Sequence, residues 1–592
     1  MTHQSTDPTS PLGSHRTGPR TAPHAAPHPL RHALPRRTVI GLGVGAGLAV
    51  AATTSAVGAP VTQPGDEGVF AHGVASGDPL PEAVVLWTRV TPTPEAMPGT
   101  GLGPTVTVQW EVATDARFRR VVRRGRVSTD ATRDHTVKVD ATGLSPDTTY
   151  HYRFVLGRAA SPSGRTRTAP ATDATPDHLR LGVVSCANLQ AGWFSAYRHL
   201  AARDDLHAVV HLGDYLYEYA PGQYGYGQDN VDIRPHVPAR EMVTLADYRQ
   251  RHAQYKTDPD LQALHARHPF IVTCDDHETT NDAWRDGAEN HQPEEGEYAV
   301  RRAAAHRAYD EWMPVRLSGT AEVGDGTRLF RTLRFGALAE LSMLDLRTHR
   351  DQQVATLAPS PVPTTDPAVS DPDRTIAGRE QFDWLEDRLQ PGGAQWKLVG
   401  NPVMIAPVTF TQLPHDLIDP VNDVTGLLPR DGAPYNVDQW DGYTDDRREV
   451  FTHLRDHGVR DVVFLTGDIH SGWACELPHD PALAPLGDSA GVEFVCTSVT
   501  SNNLKDITGT PPRTTSIAVE TTIRTNNRHV KYLDFDSHGY SVLDLTPERA
   551  QMDWFVISDR ADPRASASWT ASFATRSGTN RLVPVAAPVR EA

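Results

Sequence analysis

The sequence predicts an α/β protein preceded by a small β-sandwich, and three observations carry that expectation. From Val69 to about Thr166, short alternating or apolar runs recur between turn residues. Beyond residue 178 the pattern changes to apolar strand-like runs alternating with helix-period segments. Acidic, cysteine, tyrosine and histidine residues gather where those apolar runs stop, as they do at strand ends in α/β domains.

The first block contains "AVVLWTRV", "TVTVQWEVA", "RVVRRGRVS", "HTVKVDATGL" and "TTYHYRFVLG", each of strand length. In "GLSPDTTYHYRF", Leu144, Pro146, Thr148, Tyr150 and Tyr152 resemble the corner of a fibronectin type III or immunoglobulin-like domain, where a tyrosine hydroxyl ties the loop between two late strands. A sandwich over 66–166 is expected. Packing and that corner account for its tyrosines, so no catalytic role is expected of them. "GRAASPSGRTRTAPATDATPDH", rich in Pro, Ala and Thr, reads as the linker that follows.

In the second block, "LRLGVVSCAN" and "LHAVVHLGDY" are apolar runs ending in polar residues, with "AGWFSAYRHLAARD" as the helical crossover between them. "HPFIVTCDDHE" follows a helix beginning near "TLADYRQRHAQYK", and "VRDVVFLTGDIHSG" follows "RREVFTHLRDHG". "AVRRAAAHRAYDEWMP" is a further helix, halted at Pro314. This α/β domain is expected over 178–560, with a Pro- and Asp-rich surface excursion from about Leu357 to Arg374 and a C-terminal tail over 561–592.

A chain of 592 residues with 39% hydrophobic composition is globular and long enough for several domains. Its formal charge is -16, and because the first 59 residues carry five Arg against one Asp, the remainder lies near -20. Such a surface repels nucleic acid and anionic membranes, and no specific nucleic-acid partner is expected. At the N-terminus, Arg36 and Arg37 precede about 17 small or apolar residues and then "SAVGA". That run is only mildly hydrophobic and short for a membrane span, so residues 1–59 read as an export signal behind a polar leader, cleaved after Ala56 or Ala59. The paired arginines point to the twin-arginine translocase and to a secreted, extracellular or cell-wall location. That route often exports proteins already loaded with a cofactor, here expected to be a metal. Four cysteines, Cys186, Cys274, Cys475 and Cys496, are too few for a disulfide scaffold; Cys475 and Cys496 are read either as a pair or as buried thiols.

Four strand ends share one chemistry: Cys186 in "VVSCAN", Asp214 and Tyr217 in "HLGDYLYE", Asp275 through Glu278 in "CDDHE", and Asp468 with His470 in "TGDIHS". Carboxylate, imidazole, phenolate and thiolate are all metal ligands, and this mixed set suits a divalent or trivalent transition metal. A harder ion such as Ca2+ fits an all-oxygen site beside it, bridged by a carboxylate. Two such cations clamp phosphate oxygens and make hydroxide available near neutral pH, the chemistry of phosphoester hydrolysis.

"GDYLY" resembles the G-D-x-x-Y block of purple-acid-phosphatase-like metallophosphoesterases; "DDHE" and "GDIH" stand where those have G-N-H-[DE] and G-H-x-H. More closely, "FAHGVASGDPLPEAVVLWTRV", "VVSCAN", "HLGDYLYEY", "DDHE", "LDLRTHR", "FLTGDIHSG" and "HGYSVLDLTPE", in order from Phe70 to Trp554, resemble the PhoD-like alkaline phosphatase/phosphodiesterase family. The resemblance implies a sandwich-like N-terminal domain and a four-layer α/β/β/α metallophosphoesterase domain. It also implies Fe3+ held by Cys186, Asp214, Tyr217 and His470, and Ca2+ held by Asp275 or Asp276 and by Asp468, with Asp214 bridging. Asp276 and Asp468 replace softer ligands of the wider superfamily, which favours Ca2+ over Zn2+ at the second position. His277 is a candidate proton donor to the leaving group, or else a residue that orients a ligand. Arg347 is a candidate phosphate clamp, or else an exposed structural ion pair. Asn401 in "VGNPVM" follows another strand and is a candidate to face the site.

The expected activity is that of a secreted alkaline phosphatase/phosphodiesterase in which a metal-activated hydroxide attacks phosphorus in line. No covalent serine step is expected, since no serine lies in a motif that would activate it. Substrates would be small phosphomonoesters or phosphodiesters, phospholipids or teichoic-acid-like polymers. A phospholipase D-like activity on lipid headgroups is the nearest alternative, and a non-catalytic surface binder is the alternative from another class.

Overall fold

The apolar runs of the second block are strands buried on both faces, which is why they read as near-continuous hydrophobic sequence. Along Val462–Thr466, Val463 and Leu465 face a second sheet while Val462 and Phe464 face helices, as the two-residue period of a strand demands. The computed structural model describes residues 68–224, 233–317, 328–355, 364–425 and 429–591. The expected export signal and part of the excursion after Leu357 lie outside them.

Two mixed sheets form the centre. The larger has ten strands in the order Leu582–Pro584, Ala567–Arg576, Arg549–Ile557, Gly539–Leu545, Leu179–Val184, Ala208–His211, Phe270–Val272, Val74–Leu80, Ala83–Arg89, Thr136–Thr142. The smaller has seven, in the order Arg331–Phe335, Ala339–Met343, Trp396–Asn401, Val462–Thr466, Ser489–Val495, Gly472–Pro478, Val530–Asp534. Leu181, Val183 and Val210 from one, and Met343, Leu398 and Leu465 from the other, pack in the layer between them. Helices Ser195–Ala201, Leu245–Tyr255, Pro259–Arg267 and Tyr298–Trp312 cover the outer face of the larger sheet through Tyr197, Tyr248, Leu264 and Ala308. Arg379–Arg388, Thr444–Asp456 and Thr515–Asn526 cover that of the smaller through Phe382, Val450 and Ile523. Helix, sheet, sheet and helix therefore make four layers around the α/β core.

Helix ends follow local chemistry. Leu245–Tyr255 starts at a capping box in which Thr244 Oγ1 accepts the Asp247 N–H at 3.3 Å and Asp247 Oδ2 accepts the Thr244 N–H at 2.9 Å. Tyr298–Trp312 stops because Pro314 disfavours the helical conformation at Met313, which is extended at φ -107, ψ 143.

The first block supplies both layers of a sandwich. A five-stranded sheet built on Val106–Ala113, Val121–Thr129 and Thr149–Leu156 packs Val108, Val112, Tyr152 and Phe154 against Val84, Leu86 and Val137. Its corner forms at Tyr150, whose hydroxyl accepts the Ser145 N–H at 2.8 Å. The opposing layer, Val74–Leu80, Ala83–Arg89 and Thr136–Thr142, is also the edge of the ten-stranded sheet, where Gly77 pairs in parallel with Phe270. Asp78 locks the seam: its carboxylate accepts from Arg331 Nη2 and Nε at 2.7 and 2.8 Å and from the Arg316 N–H at 2.7 Å.

One expectation changes, and one open alternative is decided. Residues 561–592 are not a tail: Ala567–Arg576 pairs along Arg549–Ile557 and Leu582–Pro584 pairs on it in turn, with Ala571 and Phe573 packed on the inter-sheet core. The alternation in "SWTASFATR" carried that signal. Cys475 and Cys496 do not pair, because Cys475 faces the outer helices and Cys496 the inter-sheet layer; all four cysteines are buried and free.

Candidate metal centre

Strand ends of both sheets converge, and four of the converging residues take the left-handed backbone that non-glycine residues rarely adopt: Cys186 at φ 58, Asp214 at φ 54, Asp468 at φ 61 and His470 at φ 52. Each turns sharply out of a strand, aiming a short polar side chain at the centre. The turns need glycine beside them. At Gly213, φ 102, an added Cβ would lie 2.5 Å from Asp275 Cβ, and at Gly467 it would lie 2.8 Å from Ser185 Cβ.

Two groups of ligand atoms lie within 4.8 Å of one another, Cys186 with Asp214 and His470, and Asp214 with Asp276 and His277. Asp214 belongs to both. Tyr217 donates to Asp214 Oδ2 at 2.8 Å, lies 3.2 Å from His470 Nε2 and accepts from Ser501 Oγ at 2.7 Å. His470 donates from Nδ1 to the Asn502 carbonyl at 2.7 Å, which leaves Nε2 to face the centre. Burial pushes the His470 imidazole down to about 4, keeping it in the neutral form that ligates metals.

The carboxylates share a pattern: one oxygen is braced and the other is buried without a hydrogen-bond partner. Asp214 Oδ2 is taken by Tyr217 and Oδ1 is open; Asp275 Oδ1 is taken by Arg347 Nε at 2.5 Å and Oδ2 is open; Asp276 Oδ2 is taken by the Asp282 N–H at 2.6 Å and Oδ1 is open. Asp468 lies 3.5 Å from Arg347 Nη2 and accepts from Gln439 Nε2 at 3.3 Å. Open, buried carboxylate oxygens are costly unless a cation takes them, so this donor set fits metal ions. Burial, and then the Asp275 carboxylate, pushes Asp468 well up. Asp276 is held low: burial opposes, but Arg347 and His277 outweigh it.

Arg347 is buried, so the exposed ion pair is excluded. Its Nη1 donates to Asp438 at 2.9 Å, and Nη2 has no hydrogen-bond partner and is buried beside the acids. His277 holds Glu218 Oε2 through Nδ1 at 2.7 Å and packs against Tyr217, the rings tilted by 31° with centroids 4.1 Å apart. Burial acts to lower the His277 imidazole, but Asp276, Glu218 and Asp214 raise it well above the ordinary value. Asn401 has protein partners for both its side-chain groups, donating to Thr466 Oγ1 at 3.2 Å and accepting from Trp440 Nε1 at 3.1 Å. Glu278 braces the turn itself, accepting the N–H groups of Asp214, Tyr215 and Asp275.

Sequence reasoning missed Glu218, Asp438, Ser501 and Asn502. Glu218 was findable, an acid set between two tyrosines in "GDYLYEY". The other three carry no local signal, because their partners come from distant segments.

The PhoD-like phosphatase family model matches residues 181–554, and the model of that family's N-terminal domain matches 54–170. Alkaline phosphatase D of Bacillus subtilis (strain 168) is 37% identical over 509 residues, covering 85% of this chain and 80% of that protein. A solved structure described as PhoD superposes with a TM-score of 0.77 at 35% identity, over 88% of this chain and 93% of that one. Fold, donor set and these similarities define the class as phosphoric ester hydrolase. The chain belongs to the PhoD-like phosphatase family.

Proposed function

We propose that this alkaline phosphatase homologue is a secreted phosphomonoesterase/phosphodiesterase working at an Fe3+/Ca2+ centre. Cys186, Asp214, Tyr217 and His470 would hold the iron, and Asp214, Asp468 and Asp275 or Asp276 the calcium. The observation that carries the reading is the set of open, buried oxygens on Asp214, Asp275 and Asp276, with Asp214 and Asp276 sharing one group of ligand atoms and Asp214 also belonging to the group of Cys186 and His470. When bound, the cations would neutralise the phosphoryl oxygens and lower the pKa of water.

The chain's own groups do the rest. Arg347 Nη2 is the donor free to meet a phosphoryl oxygen, while Asp275 and Asp438 hold the guanidinium in plane. Glu218 keeps the His277 ring fixed through Nδ1, so the opposite nitrogen, Nε2, carries the proton toward the leaving oxygen. Water, having released a proton to solvent, bonds to phosphorus as the ester P–O bond breaks. The electron pair of that bond stays on the leaving oxygen, which takes the His277 proton.

The test is elemental analysis of protein isolated after its native export, then chelation and add-back on a phosphodiester. Iron and calcium retained, and activity recovered only with both, is the expected result; full activity in iron-free protein rejects the reading. Assays on p-nitrophenyl phosphate, its bis ester and phosphatidylcholine side by side separate the phosphatase from a phospholipase D-like enzyme.

A further inference from the structure

Four aromatic rings run outward from the centre in order of exposure: Tyr217 at 0%, His277 at 4%, Tyr219 at 9% and Tyr224 at 43%. Their centroids are close, 4.1 Å from Tyr217 to His277, 5.6 Å from His277 to Tyr219 and 4.9 Å from Tyr219 to Tyr224. Tyr224 also lies nearly parallel to His277, 27° apart at 6.0 Å. The first three rings are enclosed, whereas Tyr224 keeps a large part of its surface open.

The segment bearing Tyr224 is anchored. Gln190, fully buried, donates from Nε2 to the carbonyls of Gln223 and Tyr224, both at 2.9 Å. Burial, then the Asp214, Asp276 and Asp468 carboxylates, push the Tyr224 phenol upward, so the residue lies within electrostatic reach of the centre.

We propose that Tyr224 is a specificity-determining residue: its ring, backed by Tyr219 and His277, is a stacking platform for a planar aromatic leaving group, favouring aryl-bearing and nucleoside esters over saturated alkyl esters. The inference rests on reading His277 as the donor to the leaving oxygen. A leaving group that receives its proton from His277 must lie against that ring, and Tyr224 is the outermost ring beside it. Offset stacking of aromatic rings then discriminates a flat leaving group from a puckered one of equal charge.

The test uses the metal-replete enzyme and two esters whose leaving groups are primary alcohols of similar acidity, naphthylmethyl phosphate and cyclohexylmethyl phosphate. In Y224L, KM for the naphthylmethyl ester is expected to rise about 10-fold while the cyclohexylmethyl ester changes by less than about twofold. Y224F and Y224W should keep the wild-type preference. Equal effects of Y224L on both esters, or a loss in Y224F matching Y224L, would overturn the platform. H277N separates the parent reading: it should lower kcat on both alcohol esters far more than on p-nitrophenyl phosphate, whose leaving group needs no proton. An equal effect of H277N on all three esters retires the proton-donor reading and the platform with it.

Discussion

Tyr215 and Tyr217 stand two residues apart, both fully buried, in two opposite electrostatic worlds. Around Tyr217 lie Asp214, Cys186 and His470, with the acids of the centre beyond them. Around Tyr215 lies a cation: its hydroxyl accepts from Lys256 Nζ at 3.0 Å and sits 2.8 Å from His265 Nε2. Lys256 is 1% exposed, with Nζ 4.7 Å from the Trp87 ring centroid, and among the described residues no carboxylate pairs with it. Burial pushes its ammonium down to about 7. The same desolvation thus has two remedies. A lone buried amine can shed its proton at little cost, whereas in the acid cluster burial pushes Asp214, Asp275 and Asp468 upward while Arg347 and His277 hold Asp276 low, a strain that bound cations would relieve.

The comparison can be broken most decisively at Asp214. D214N keeps the shape but removes the charge shared by both ligand groups; kcat/KM should fall by at least about 10³-fold, with loss of bound metal by elemental analysis. Retained metal and activity would mean that the Asp214 charge is not what holds the cations. Y217F tests the same side more gently. If Tyr217 binds Fe3+ as phenolate, the wild-type protein shows a visible charge-transfer band that Y217F lacks, with kcat/KM lowered about 10–100-fold. A band that survives in Y217F assigns it to another ligand.

On the Tyr215 side the expected effects are smaller. K256M replaces the amine with an apolar chain of similar length, so activity should stay within about threefold. Stability reads the sign. With a folded value of about 7 and an ordinary value of 10.5, the unfolded chain binds more protons between those limits, so stability rises with pH across that window and is flat on either side. Thermal scans should show Tm climbing over that range in the wild type and not in K256M. A climb that persists in the variant would show that Lys256 is charged and compensated where it lies.

Much of this was legible without the fold. Helix starts, the stop before Pro314, the tyrosine corner at Tyr150 and the alternation of strands and helices follow from contacts within a few residues, which the order of side chains encodes directly. The candidate ligands were also legible, because strand ends place polar residues immediately after apolar runs.

What the sequence determined by itself was therefore the inventory: the α/β grammar, the strand-end residues Cys186, Asp214, Tyr217, Asp276, Asp468 and His470, and the chemistry such donors can perform. Only the tertiary structure decided who meets whom. It joined Val74–Leu80, Ala83–Arg89 and Thr136–Thr142 onto one end of the ten-stranded sheet, turned residues 567–584 into its far rim, set Cys475 and Cys496 on opposite faces, and buried Arg347 among four acids. Pairing, burial and charge compensation depend on atoms brought together from distant parts of the chain, and a local pattern carries no record of the partner it will find.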